Sequence, residues 1–141
     1  MKGVFIDTSA LYALFAPADA RHRDAVATLR KLVKERTSLI TTEMVLLESY
    51  ALVHARTGRA GLLGFHAAVA PSAWLRRMVP SAEHQGKAWE LLEQRTDKDY
   101  SFVDAVSFVV MRALGLRDAF SFDVHFAQEG FELVRGTAPR R

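Results

Sequence analysis

Hydrophobic and polar positions along the chain alternate between two periods. Gly3-Val4-Phe5-Ile6 is a short apolar run that meets Asp7, the pattern of a strand buried on both faces. Thr8 or Ser9 can then cap a helix over residues 10–16, and Pro17 stops it. Val26, Leu29, Leu32 and Val33 recur at helical spacing within residues 21–36. Thr37-Ser38-Leu39-Ile40-Thr41 is β-prone, and Thr41 or Thr42 opens a helix that runs to Thr57 and ends at Gly58. A small apolar stretch, residues 61–70, predicts another helix closed by Pro71. Residues 74–79 form a weaker strand, and Ser81 caps an amphipathic helix through Gln94. Residues 102–114 predict a helix ending at Gly115, residues 119–122 a strand ending in Asp123, and residues 131–134 an edge strand. Strands alternating with helices predict an α/β fold, with a parallel sheet of four or five strands and helices on both faces. Residues 1–135 read as one domain, and residues 136–141 as a basic tail that frays.

Composition narrows the chemistry. The chain has 141 residues, half of them hydrophobic, which suffices for a sizeable core. It has no Cys, which excludes disulfides, thiolate metal sites and a Cys nucleophile, and fits a reducing compartment. No apolar run approaches the ~20 residues that span a membrane, and the N-terminus lacks a signal-peptide pattern, so the cytoplasm is the expected location. The net charge of +3 hides an uneven distribution if several acids cluster, because the remainder is then clearly basic. Such a balance suits a polyanionic substrate.

Certain carboxylates stand where periodicity expects core. The helical neighbours of Glu48 at three and four residues are Met44, Val45, Ala51 and Leu52, all apolar. A carboxylate there needs a cation, either an Arg or Lys from another element or a metal ion. Asp104 interrupts a helix that is apolar nearly all round, with Ser107 one step further on the same face. Ser101-x-x-Asp104 also resembles a capping box, which would fix the direction of Asp104 without excluding metal binding. Asp7 and Asp123 both follow apolar strands, so a parallel sheet delivers them to one edge; each could also be a cap or turn residue. Four converging acids stay ionised only with cations among them, and an all-oxygen cluster suits Mg²⁺ or Mn²⁺. His22, His54, His66, His84 and His125 show no metal-ligand spacing; His125, two residues after Asp123, could face the site, though a surface or packing role is the expectation for it.

In this order, the apolar strand with Asp7-Thr8-Ser9, Thr41-Thr42 followed by Glu48, Tyr100-Ser101-Phe102-Val103-Asp104-Ala105, and Ser121-Phe122-Asp123-Val124-His125-Phe126 resemble the PIN-domain nucleases, and among them the VapC-type toxins and their stand-alone relatives. The resemblance runs from Lys2 to about Val134. It implies a metal-dependent ribonuclease whose acids are Asp7, Glu48, Asp104 and Asp123, holding Mg²⁺ or Mn²⁺, with Thr8, Ser9, Ser101 and Ser121 in support. Ser121 stands where the family often has Thr, and the hydroxyl is kept. The resemblance further implies an RNA substrate, a small antitoxin whose segment covers the acidic cleft, and a homodimer. Glu43 and Asp99 are further supporting candidates, and Arg76, Arg77, Lys98, Arg135, Arg140 and Arg141 are candidates for guiding a nucleic-acid backbone.

Two other readings stay open at this level. One is a PIN-like module that binds RNA or a partner without cutting. The other is a phosphoryl-transfer enzyme of the haloacid-dehalogenase or receiver kind, which also places an Asp after the first strand. The former wants a second Asp where Ser9 stands, and the latter wants paired acids ahead of the strand.

Overall fold

In the computed structural model, residues 3–136 are described. β1 (Gly3–Ile6) leads through α1 (Thr8–Phe15) and α2 (His22–Lys34) to β2 (Ser38–Thr42). α3 (Glu43–Val69) follows, then β3 (Leu75–Met78), α4 (Ala82–Gln94) and α5 (Phe102–Ala113). β4 (Asp118–Phe120), α6 (Val124–Gln128) and β5 (Glu132–Leu133) complete the described chain. The five strands pair in the order β3-β2-β1-β4-β5, every pair parallel. The apolar run Val4-Phe5-Ile6 is fully buried because β1 is the central strand.

The topology decides where a ligand can sit. From β1 the chain steps outward to β2 and β3, then crosses back to β4 and outward again to β5. Right-handed crossovers therefore put α1–α3 on one face and α4–α6 on the other. The direction reverses between β1 and β4, and at such a reversal the helices diverge and leave a crevice beyond the carboxyl ends of the strands. Asp7 follows β1 and Asp123 lies three residues beyond the end of β4, so both border that crevice.

Several boundaries differ from the pattern-based expectation. Asp7 itself, and not Thr8 or Ser9, is the N-cap of α1 and accepts the Ala10 N–H. β4 ends at Phe120, so Ser121 and Asp123 lie in the turn after it. The last strand is reduced to Glu132–Leu133. Gly58 does break α3, with φ 74° and ψ −168°, a conformation open to glycine and strained for other residues, but helix resumes at once. The short helix α6 has no counterpart in the pattern, since five residues are too few to display a period.

Glu129 joins the ends of three helices. Its side chain is 2% exposed and accepts from Arg95 at 2.9 and 3.0 Å, from Arg112 at 2.6 Å and from Tyr100 at 3.1 Å. Arg95 is the C-cap of α4, Arg112 lies in the last turn of α5, and Glu129 is the C-cap of α6. Burial would raise the pKa of Glu129, but the two guanidiniums outweigh it and hold the carboxyl below its usual range. Tyr100 is pushed up to about 12 by burial and by the neighbouring carboxylate.

Arg135, the last residue of the expected domain, and Gly136, the first of the expected tail, pack on the domain; the rest of the tail, Arg140 and Arg141 included, lies outside the described residues. Among the described residues no helix is long and apolar enough to cross a membrane.

Candidate metal centre

Asp7 is 6% exposed, and each oxygen of its carboxylate is held. Oδ1 accepts the Ser9 hydroxyl at 2.7 Å and the Ala10 N–H at 3.2 Å, while Oδ2 accepts the Ser121 hydroxyl at 2.7 Å. Burial raises its pKa to about 6, with the Asp123 carboxylate adding to the rise, against the lowering effect of these hydrogen bonds. Ser121 Oγ also accepts the Asp123 N–H at 2.9 Å, so one hydroxyl couples the two acids that end neighbouring strands.

Glu48 lies near the start of α3, whose N-cap Thr42 accepts the Val45 N–H at 3.1 Å. Its Oε1 accepts the Thr8 hydroxyl at 2.5 Å. The Arg or Lys partner considered from sequence is not found among the described residues. Burial raises the pKa of Glu48, and the carboxylates of Asp104 and Asp123 push the same way.

Asp104 is fixed by the expected capping box. The Ser101 hydroxyl accepts the Asp104 N–H at 3.0 Å, and Asp104 Oδ2 accepts the Ser101 N–H at 3.1 Å. Asp123 caps α6 through an Oδ1 that accepts the His125 N–H at 2.9 Å. That turn swings the His125 ring inward, contrary to the surface or packing role expected for it. Its Nδ1 lies 3.0 Å from Asp104 Oδ2 and 3.3 Å from Asp123 Oδ1. Asp104, Asp123 and His125 each offer a ligand atom, all within 4.8 Å of one another. The signal in the sequence was Asp123-x-His125, an N-cap and the second residue of its helix, too short a pattern to single the histidine out.

Asp7, Glu48, Asp104 and Asp123 thus line one cavity of about 200 Å³ together with Thr8, Ser9 and Ser107. Among the described residues no Lys or Arg lines it. Glu43 is exposed and borders a different cavity beside Tyr50 and Arg77, and Asp99 is exposed, so neither takes the supporting place that sequence suggests for it. Arg77 donates to the Val69 carbonyl, and Lys98 pairs with Asp97 at 2.9 Å.

A cavity of this kind repels itself, and its pH dependence follows. Asp7 releases its proton at about pH 6 when folded but at 3.8 in the unfolded reference. The folded state therefore binds that proton more tightly, and the associated stabilisation, present below pH 3.8, is lost as the pH rises through about 6. The full loss is about 3 kcal/mol, roughly half of it between pH 5 and 7.5, with Glu48 acting in the same direction. Urea unfolding in a chelator should accordingly give greater stability at pH 5 than at pH 7.5. Equal or reversed stabilities would contradict the burial of ionised carboxylates.

The PIN domain family model matches residues 4–132, nearly the whole described chain. The chain belongs to the PIN domain family. Among curated PIN proteins it is 36% identical over 133 residues to the 23S rRNA-specific endonuclease VapC20 of Mycobacterium tuberculosis, covering 94% of this chain and 98% of the relative. The crystal structure of that VapC20, titled a sarcin-ricin loop cleaving toxin, superposes with a TM-score of 0.83 at 35% identity, covering 94% of this chain and 98% of that one. FitAcB from Neisseria gonorrhoeae (TM-score 0.71, 14% identity) and VapBC2 from Rickettsia felis (0.69, 15%), each covering 93% of this chain and 96% of its own, share the PIN fold.

Proposed function

We propose that this PIN domain is a Mg²⁺- or Mn²⁺-dependent endoribonuclease that hydrolyses phosphodiester bonds in RNA, the toxin of a toxin–antitoxin pair acting in the cytoplasm. The observation that supports it most is the meeting of Asp7, Glu48, Asp104 and Asp123 in one cavity without a Lys or Arg. The donor set fits a hard divalent cation, since the four acids supply oxygens and the anionic charge calls for neutralisation. Asp7, Asp104 and Asp123 would hold the ion, with Glu48 directly or through water. Bound there, it supplies Lewis-acid polarisation of the phosphoryl group and acidification of the attacking water.

The side chains of the chain itself do the rest. Ser9 and Ser121 hold both oxygens of Asp7, so that the carboxylate is oriented before any ligand arrives. The Ser101 N–H holds Oδ2 of Asp104, and the Thr8 hydroxyl holds Oε1 of Glu48. Glu48, held by the Thr8 hydroxyl at the edge of the cavity, is placed to take a proton from water beside the phosphate. This chemistry does not require the ribose 2′-hydroxyl; the choice of RNA rests on the relatedness to the 23S rRNA-specific endonuclease VapC20. The same proposal includes a small antitoxin, with an Arg of its segment placed among the carboxylates, and a homodimer, both as the resemblance to VapC-type toxins implies.

Incubation with RNA in Mg²⁺ or Mn²⁺, against a chelator control, tests the proposal. Cleavage with the metal and none with the chelator is expected, and sequencing the new ends identifies the target. Mn²⁺ should also stabilise the protein, by about 2.7 kcal/mol at a hundredfold excess over its dissociation constant. Metal-induced stabilisation without cleavage would favour the non-cutting module, and neither effect would remove the metal centre altogether.

A further inference from the structure

The ring of Phe122 carries two guanidiniums, that of Arg21 at 5.5 Å from the ring centroid and that of Arg135 at 5.3 Å. Phe122 is tied directly to the acidic centre. It stands between Ser121 and Asp123, and its N–H donates at 2.9 Å to Ser9 Oγ, the hydroxyl that donates to Asp7. The Phe122 backbone is thus fixed beside the acidic centre after β4, and its ring is buried next to the cavity lining without forming part of it.

Both arginines are brought there by anchored backbone. Arg21 precedes His22, whose Nδ1 lies 2.7 Å from the Ala13 carbonyl oxygen and sets the start of α2 against α1. Arg135 precedes Gly136, whose N–H donates at 2.6 Å to the hydroxyl of the buried Thr28. A Cβ at Gly136 would stand 2.8 Å from the backbone of Ala27 and Thr28, so only glycine lets the chain lie this close to α2. Residues 135–136 are thus packed against α2, and the rest of the expected tail lies outside the described residues.

Both side chains are nevertheless exposed, and among the described residues neither guanidinium has a carboxylate partner. By contrast Arg95 and Arg112 are committed to Glu129, and Lys98 to Asp97. A guanidinium stacked on a ring keeps its N–H edge free for a bidentate contact with a phosphate. A cavity with four carboxylates repels a polyanion, so a strand that enters it needs cations along its path.

We propose that Arg21 and Arg135, seated on Phe122, form a phosphate clamp that holds the RNA backbone on the β4 side of the acidic cavity, an inference that rests on the ribonuclease reading above. The clamp contacts phosphates flanking the one that reacts. It contributes to binding the strand equally before and during the reaction, and so acts on KM more than on kcat.

The test uses the full chain and its Arg21→Ala/Arg135→Ala variant, with unchanged melting temperature as the control for folding. Binding of a fluorescein-labelled single-stranded RNA oligonucleotide is measured in chelator over a series of salt concentrations. Loss of two phosphate contacts should shrink the slope of log K against log salt by about 1.4, at about 0.7 per contact on a single strand. In Mg²⁺ the same variant should raise KM about tenfold or more with kcat little changed, and Arg21→Lys/Arg135→Lys should restore most of the salt slope. A parent that binds and cuts RNA beside an alanine variant with the same slope and KM overturns the clamp alone. A parent that neither binds nor cuts RNA overturns the ribonuclease reading and the clamp with it.

Discussion

Asp7→Asn is expected to reduce RNA cleavage in Mg²⁺ by about a thousandfold or more, since losing one charged ligand removes several kcal/mol of transition-state stabilisation. The same substitution should stabilise the metal-free protein at neutral pH. Asn keeps the size of the side chain and its acceptor oxygen for Ser9 and the Ala10 N–H, while the Ser121 hydroxyl can turn to accept from the amide. What disappears is a buried negative charge beside the Asp123 carboxylate. At pH 7.5 the gain in unfolding free energy should approach the same ~3 kcal/mol that Asp7 loses by ionising. The stability difference between pH 5 and pH 7.5 should shrink in the variant. Opposite signs for activity and stability separate a functional acid from a structural cap, because removing a cap alone destabilises by about 1 kcal/mol. An active variant, or an inactive one that is less stable at pH 7.5, would refute the assignment.

Glu129→Ala is expected to destabilise the fold by about 3 kcal/mol at neutral pH. It removes the acceptor of Arg95, Arg112 and Tyr100 together and leaves the Tyr100 hydroxyl without its partner. The guanidiniums of Arg95 and Arg112 lie near the surface and can turn to water, which limits the loss. The carboxyl of Glu129 titrates below the ordinary glutamate range, so its stabilisation is present above that range and is lost as the pH falls through the depressed value. This slope is opposite to that of Asp7, and the metal-free parent should be most stable in mildly acidic solution. Urea unfolding of parent and variant from pH 3 to pH 7.5 checks both limbs. A variant as stable as the parent at pH 7 would make the Glu129 cluster ornamental. Cleavage should weaken too, since the cluster ties the end of α5 to the end of α6, the helices that carry Asp104 and His125.

The four acids are legible in the sequence because each breaks a local rule. Glu48 and Asp104 interrupt apolar helical faces, and Asp7 and Asp123 follow apolar strands. Short-range capping is legible as well, for Ser81 and Ser101 cap the helices assigned to them, and of Thr41 and Thr42 it is Thr42 that caps α3. Local pattern misleads where two options are nearly equal. At the start of α1, Asp7, Thr8 and Ser9 are all competent caps, and the hydroxyl of Ser121, more than a hundred residues away, helps to orient the residue that serves. The strand expected to reach Phe122 stops at Phe120, because the Ser121 and Ser9 hydroxyls engage the Asp123 and Phe122 N–H groups in place of a neighbouring strand.

Periodicity and residue chemistry, by themselves, determined the alternation of strands with the longer helices, the class of fold and which acids stand out as candidates against apolar surroundings. These depend on interactions within a few residues and on the general handedness of chain crossings. Only the tertiary structure decided which side chains joined those acids. His125 entered through a five-residue helix, Glu129 found partners 17 and 34 residues away, and Arg21 and Arg135 met on Phe122 from opposite ends of the chain. Contacts of that kind are set by how packed elements approach one another in space, which no local pattern of residues encodes.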